Sequence, residues 1–324
     1  MENNKKFSAE DVTEAYEKIK PYVRKTPLEL SYFLGDKDTN YYFKLESFQK
    51  AKSFKIRGAI NKMLTLSEEE KEKGVATISS GNHGSSVAYA ASLLGIKNVV
   101  IIVSNMTPKS KIDRIKYFGA KVMLMGDNYD QAHKLGMEYI KEQDMTFIDA
   151  YYDDPKIYSG QGTIALEILE ECPEIDTIVV PIGGGGLITG IAVAAKAGKA
   201  DIKIIGVQTE ACPAMVKSYE DNVFYSEYPT SKTYCDALVG GVGKLSYEML
   251  KDYVDDILVV SEKSIAQAVS FMAKEEKYIV EAGSCTTVAA VHDFKEKIGG
   301  KNIALILSGG NIDGDVLTEI LSKY

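Results

Sequence analysis

Short apolar runs alternate with stretches of helical periodicity along almost the whole chain. Ser8 with Asp11 reads as a capping box that opens a helix through about Val23, with Val12, Ala15, Tyr16 and Ile19 on one face. Apolar runs predict strands at Tyr41–Leu45, Val75–Ile78, Val99–Val103, Lys121–Met125, Thr177–Pro181, Ile202–Val207, Ile257–Val260 and Ile303–Leu307. Helical patterns lie between most of them, at His83–Leu94, Lys109–Phe118, Tyr129–Lys141, Gly160–Leu169, Leu187–Lys196, Ser264–Lys274 and Ser284–Lys295. Such alternation predicts an α/β protein built on mainly parallel sheets with helices on both faces. Ligands of such sheets sit beyond the carboxyl ends of the strands, so the loops just after strands are where function is expected. No internal repeat, low-complexity tract or linker interrupts the pattern. Segment 212–245, rich in Tyr, Ser and Gly, is the least regular and predicts loop with short helix.

Four loops carry candidate chemistry. Ser53-Phe54-Lys55-Ile56-Arg57-Gly58-Ala59 sets a lysine between two apolar residues just before a helix. Alone, the motif is weak and reads first as a half-exposed lysine at a helix start; in the functional reading, partial burial lowers its pKa and frees the amine for a Schiff base. Ser79-Ser80-Gly81-Asn82-His83-Gly84 follows a strand and opens a helix, an arrangement that binds a carboxylate or phosphate or simply caps the helix. Six such residues in a row exceed what a cap requires. Gly183-Gly184-Gly185-Gly186 lies between the strand ending at Pro181 and the helix from Leu187. Each glycine costs on the order of 1 kcal/mol of backbone entropy relative to alanine, which close approach of an anion at the helix start would justify; a glycine-rich tight turn with no ligand is the alternative. Neither a G-x-G-x-x-G fingerprint nor a P-loop is present, so a compact phosphate fits better than a nucleotide. Ser308-Gly309-Gly310-Asn311 closes the last strand and, on its own, is a turn into the final helix.

Composition narrows the rest. Hydrophobic residues at 45% allow an ordinary core, and a net charge of −8 disfavours nonspecific binding to nucleic acid or anionic membrane. The polar start Met1–Lys6 does not look like a signal peptide, and Pro181 with the glycines breaks the longest apolar stretch, so no membrane association is expected. Cys172, Cys212, Cys235 and Cys285 form no C-x-x-C pair, which suits reduced thiols in a cytoplasmic protein. His83, His133 and His292 are not spaced as metal ligands, and no metal site is expected.

Taken together, the four loops resemble those of the fold-type II pyridoxal-phosphate enzymes, in the branch that holds threonine/serine dehydratases and serine racemase. The resemblance runs from Thr26-Pro27-Leu28 to Ser308-Gly309-Gly310-Asn311 and includes Ser159-Gly160-Gln161-Gly162-Thr163. Lys55-Ile56-Arg57 is similar to the dehydratase side, where cysteine synthases and threonine synthases carry Lys-Asp-Arg. The resemblance implies a tryptophan synthase β-like fold of two domains: a large cofactor-binding one (1–72 and 150–324) and a small one (73–149) carrying the Ser-Gly-Asn-His loop. It implies pyridoxal 5′-phosphate held by Lys55 as a Schiff base, with Asn82 on the phenolic oxygen of the ring. Gly183, Gly184, Gly185, Gly186 and Leu187 would take the phosphate, and Ser308 the ring nitrogen. Ser79, Ser80, Gly81 and His83 would hold the carboxylate of a small amino-acid substrate. The expected reaction is β-elimination from L-threonine or L-serine to a 2-oxo acid and ammonia, with Lys55 as base, in a homodimer.

Departures from the family's pattern keep two alternatives open. Ser80 stands where serine racemase has its opposite-face acid/base, so racemisation through Lys55 and Ser80 is the rival reaction. Asp236-Ala237-Leu238 replaces the usual Asp-Gly, and Ala51-Lys52 replaces Thr-Gly, which admits an unusual β-hydroxy amino acid. Gln208 and Ala214 stand where eukaryotic racemases have metal ligands. The chain closes at Tyr324, soon after the fourth loop, so no regulatory domain of the feedback-inhibited kind is expected.

Overall fold

The computed structural model describes residues 6–324, so Met1–Lys5 of the polar start lie outside the described residues. The predicted alternation folds into two sheets. Strands β1 (Leu28–Leu30), β2 (Asn40–Leu45), β3 (Val75–Ile78), β4 (Val99–Val103), β5 (Lys121–Leu124), β6 (Thr146–Phe147), β7 (Thr177–Pro181), β8 (Lys203–Thr209), β9 (Asp256–Val260) and β10 (Asn302–Leu307) follow in chain order. The larger sheet runs β1-β2-β10-β7-β8-β9 and the smaller β5-β4-β3-β6. Every pairing is parallel except β1 with β2. The eight expected strands are present within two residues at each end. β1 and β6, with 3 and 2 residues, were too short to show a pattern.

Alternation along the central strands sorts side chains into two cores. Ile178, Val180, Ile204, Ala304 and Ile306 face the helices Ala9–Ile19, Lys55–Met63, Pro155–Glu171 and Gly186–Gly198. Val179, Ile205, Leu305 and Leu307 face the helices Glu262–Lys274 and Ala282–Ile298. In the smaller sheet, Ala76, Ile78, Val100 and Ile102 pack under the helix Tyr129–Glu142. Segment 212–245 is largely loop, with one helix at Ala214–Glu220, where Gln208 Oε1 accepts from the Met215 and Val216 amides. No helix among the described residues is long and apolar enough to cross a membrane.

Strand order places the site. β2, β10 and β7 are neighbours, so the loops leaving their carboxyl ends, which carry Lys55, Ser308 and the glycines, emerge side by side. The first two are tied directly: the Phe54 amide donates to the Ser308 carbonyl at 3.0 Å, and the Gly310 amide to the Lys52 carbonyl at 2.9 Å. Lys52 has φ 59°, in the left-handed region that favours glycine, at the position where the resembled family has one.

Helix Pro155–Glu171 joins the Lys55 helix to the helix that follows the glycines. A Cβ on Gly160 would lie 2.6 Å from the Gly58 Cα, and one on Gly162 would lie 2.5 Å from the Gly190 carbonyl oxygen. Ser159-Gly160-Gln161-Gly162-Thr163 is therefore a two-sided close-packing seam.

Beside the seam lies a fully buried ion network. All five Arg57 N–H groups are used, on Glu46 (two, both 2.8 Å), Glu167 (2.7 and 2.8 Å) and Thr163 Oγ1 (3.1 Å). Lys44 Nζ donates to Glu167 at 2.7 Å and to the Thr26 carbonyl at 2.6 Å, and Thr26 Oγ1 donates to Glu46 at 2.6 Å. Two cations and two carboxylates thus balance in a space water does not reach. Burial alone would push the Glu46 carboxyl up, but the charge and hydrogen bonds of Arg57 overcome it and hold it below the usual range. Removing one partner strands the others, so Glu167→Ala is expected to cost about 3–5 kcal/mol of folding stability. Urea unfolding of the cofactor-free protein measures this, and a loss under about 1 kcal/mol would contradict it.

Candidate active site

The carboxyl-end loops of both sheets enclose a cavity of about 640 Å³ lined by Lys55, Ser79–His83, Gly183–Leu187, Ser308, Tyr151 and Glu281, among others. Every residue expected to form a site meets there. Six helices elsewhere begin with their own side-chain cap, at Ser8, Ser67, Asn128, Asp154, Ser261 and Asp313. The helices Asn82–Leu93 and Gly186–Gly198, whose amino ends open on the cavity, have glycine caps and no side-chain hydrogen bond. Their free N–H groups and positive dipole ends are ready for anions. At the glycine loop, Gly185 has φ +96°, and a Cβ on Gly184 would lie 2.0 Å from the Tyr151 ring. Among the described residues, the amides of Gly183, Gly184 and Gly185 donate to no protein acceptor.

Lys55 is the first residue of its helix, where the sequence had placed it just ahead. Its Nζ is half-buried, 3.2 Å from the Ala150 carbonyl oxygen and 5.4 Å from the centres of the Phe54 and Tyr151 rings. Burial lowers its pKa to about 8, against the opposing pull of Asp149 and Glu281. A substantial fraction of the amine is therefore neutral and nucleophilic near physiological pH.

The Ser79–His83 loop divides its duties. Ser80 is half-buried at the cavity wall, and its hydroxyl makes no hydrogen bond among the described residues. His83 is buried with its Nε2 2.9 Å from the Ile148 carbonyl oxygen, and its pKa falls to about 3 through burial and then the nearby Lys55. The neutral ring must use its one N–H on that carbonyl, which leaves Nδ1 as an unpaired acceptor. Only the amide of His83, not its ring, can serve a carboxylate. Asn82 Nδ2 lies 2.8 and 3.0 Å from the two Glu281 oxygens, and its Oδ1 accepts from Asn311 Nδ2 at 2.6 Å. Ser308 is buried, its hydroxyl 3.2 Å from that of Ser284.

Glu281 and Tyr151 did not stand out in the sequence. Glu281 precedes the helix Ala282–Ile298 and reads as an ordinary acidic start; Tyr151 follows β6, the strand without a pattern. Burial raises the Glu281 carboxyl to about 7, although Asn82 and Asn311 donate to it.

A lysine amine, a glycine cradle and a second anion-binding helix end in one cavity define an enzyme that binds a phosphorylated carbonyl cofactor. The comparisons specify the class: the chain belongs to the pyridoxal-phosphate dependent enzymes, whose family pattern matches residues 19–309. It is 39% identical over 320 residues to the L-threonine ammonia-lyase of Thermotoga maritima, covering 98% of this chain and 79% of that protein. It is 41% identical over 310 residues to a catabolic L-threonine dehydratase of Staphylococcus aureus, covering 94% and 88%. Maize serine racemase has the same fold, with a TM-score of 0.91 at 34% identity, covering 98% of each chain. The cradle and the amine fit pyridoxal phosphate.

The raised pKa of Glu281 carries a linkage. The native state holds this proton up to about pH 7, whereas an unfolded glutamate releases it near 4.5, so the group costs stability as pH rises between those values. Relative to Glu281→Gln, the wild-type apoprotein is expected to lose up to about 3 kcal/mol between pH 4.5 and 8. Urea unfolding across that range checks this, and a pH-independent difference would contradict it.

Proposed function

We propose that this enzyme eliminates water from L-threonine or L-serine and releases the 2-oxo acid and ammonia. The observation that carries the reading is a lysine amine with a pKa near 8 facing two uncapped helix ends in one cavity. The names of the two lyase relatives support it. In this reading, Gly183–Leu187 bind the cofactor phosphate through their amides, and Ser79–His83 bind the substrate carboxylate. Bound pyridoxal phosphate supplies an electron sink that acidifies the substrate's α C–H bond. Lys55 holds the cofactor and, once displaced by the substrate's amine, is the base for the α-proton. Asn82, oriented by Glu281 and Asn311, would hold the phenolic oxygen of the bound ring. Ser308 would offer the ring nitrogen a neutral hydroxyl, which would hold its proton less firmly than a carboxylate. Glu281, protonated about half the time near pH 7, supplies a proton at the same wall. The enamine released on loss of water then hydrolyses in solution. Four free cysteines among the described residues fit a cytoplasmic location, and a homodimer is inferred from the resemblance to the dehydratase branch alone.

Racemisation is a second reading, favoured by the unpartnered Ser80 hydroxyl on the cavity wall and by the serine racemase neighbour. Incubation with L-threonine and L-serine, read for 2-oxo acid and for enantiomer, decides between them. The expected result is 2-oxo acid as main product, lost by at least about a thousandfold in Lys55→Ala. Retained turnover in that variant would contradict the role of Lys55. If D-serine forms, Ser80→Ala is expected to lower the ratio of racemisation to elimination.

A further inference from the structure

Among the described residues, two cations on the cavity wall, Lys111 and Arg114, take no part in the elimination. Arg114, on the helix Lys109–Tyr117, is half-buried at the cavity wall, and its guanidinium makes no ion pair or hydrogen bond among the described residues. Lys111, one turn earlier, also lines the cavity but spends its charge on Asp236 at 2.7 Å. Arg114 and Glu281 line the same cavity, and the guanidinium lies near enough to act on the Glu281 charge. Asp130 lines the same wall, yet it is exposed and pairs with neither residue.

A count of anions makes the spare cation informative. The two uncapped helix ends answer the cofactor phosphate and the substrate's α-carboxylate through backbone N–H groups. Threonine or serine then has no further anion to offer, only a methyl group or a hydrogen. A guanidinium kept unpaired in a pocket gives up both water and a partner, and its planar fork matches a carboxylate with two parallel hydrogen bonds. A cavity of about 640 Å³ leaves space for a longer side chain.

We propose that Arg114 binds a second carboxylate on the substrate, so that the preferred substrate is a β-hydroxy amino acid with an acidic side chain, of which 3-hydroxyaspartate is the smallest. This rests on the elimination proposed above. The α-proton and β-hydroxyl leave together as water, the released enamine takes up one water, and ammonia and oxaloacetate result. No oxidant or further reactant is needed.

The test compares 3-hydroxyaspartate isomers with L-threonine on the holoenzyme, as a ratio of kcat/KM values that cancels losses of folding or cofactor. The ratio is expected to favour the dicarboxylate, to fall by about 100-fold or more in Arg114→Ala, and to recover partly in Arg114→Lys. A ratio below one, or one unchanged in Arg114→Ala, overturns the proposal while leaving threonine elimination standing. Preference for O-phospho-L-threonine would overturn the carboxylate assignment. If no β-hydroxy amino acid is deaminated, the elimination itself fails and the proposed substrate with it. Binding of L-aspartate against L-alanine, followed by the cofactor absorbance, tests Arg114 without turnover. Aspartate is expected to bind more tightly, with the advantage lost in Arg114→Ala; equal binding in the wild type overturns the proposal.

Discussion

The buried pairing of Arg57 with Glu46 and Glu167 is the constraint on which the site rests. Two residues from Lys55, it fixes the helix that begins at that lysine to the turn Glu46–Phe48 just after β2 on one side and to helix Pro155–Glu171 on the other. The Lys55 helix has no side-chain cap, so its amino end is held by the network and by the Phe54 amide on the Ser308 carbonyl. Because two cations face two carboxylates, the network adds little net field. The lowered pKa of Lys55 follows from burial, opposed by Asp149 and Glu281, with Arg57 not among its causes. A rigid anchor that is electrically quiet can position an amine without charging it.

The same economy appears where anions are bound. Both cavity-facing helix ends offer backbone N–H groups and a dipole, which cost no side-chain entropy and add no full charge beside Lys55. A lysine or arginine in their place would depress the amine further but would also compete for the substrate's carboxylate. The glycines that make the cradle possible are fixed by crowding: Tyr151 stands against Gly184, and Ser246 against Gly185. Arg114 departs from this pattern, a full charge on the cavity wall with no ion-pair partner among the described residues.

The strand–helix order was legible because parallel strands buried on both faces read as apolar runs between amphipathic helices. The four loops were legible because glycine and hydroxyl residues cluster where strands end. What escaped were features made by tertiary contact. β1 and β6 are too short for a period to register. Glu281 owes its raised pKa to burial beside residues 199 and 30 positions away in the chain, Asn82 and Asn311. The use of the His83 ring on Ile148 is likewise set by packing. Gly160 and Gly162 were recognised as part of a motif, but their work as a helix seam shows only when Gly58 and Gly190 lie against them.

In the proposed chemistry, one covalent bond joins Lys55 to the cofactor. The direct measurement is borohydride reduction of the holoenzyme, followed by proteolysis and mass spectrometry of the pyridoxyl-labelled peptide. A single label, on the Lys55 amine, is expected. A label on another lysine, or a reduced protein with none, would contradict it.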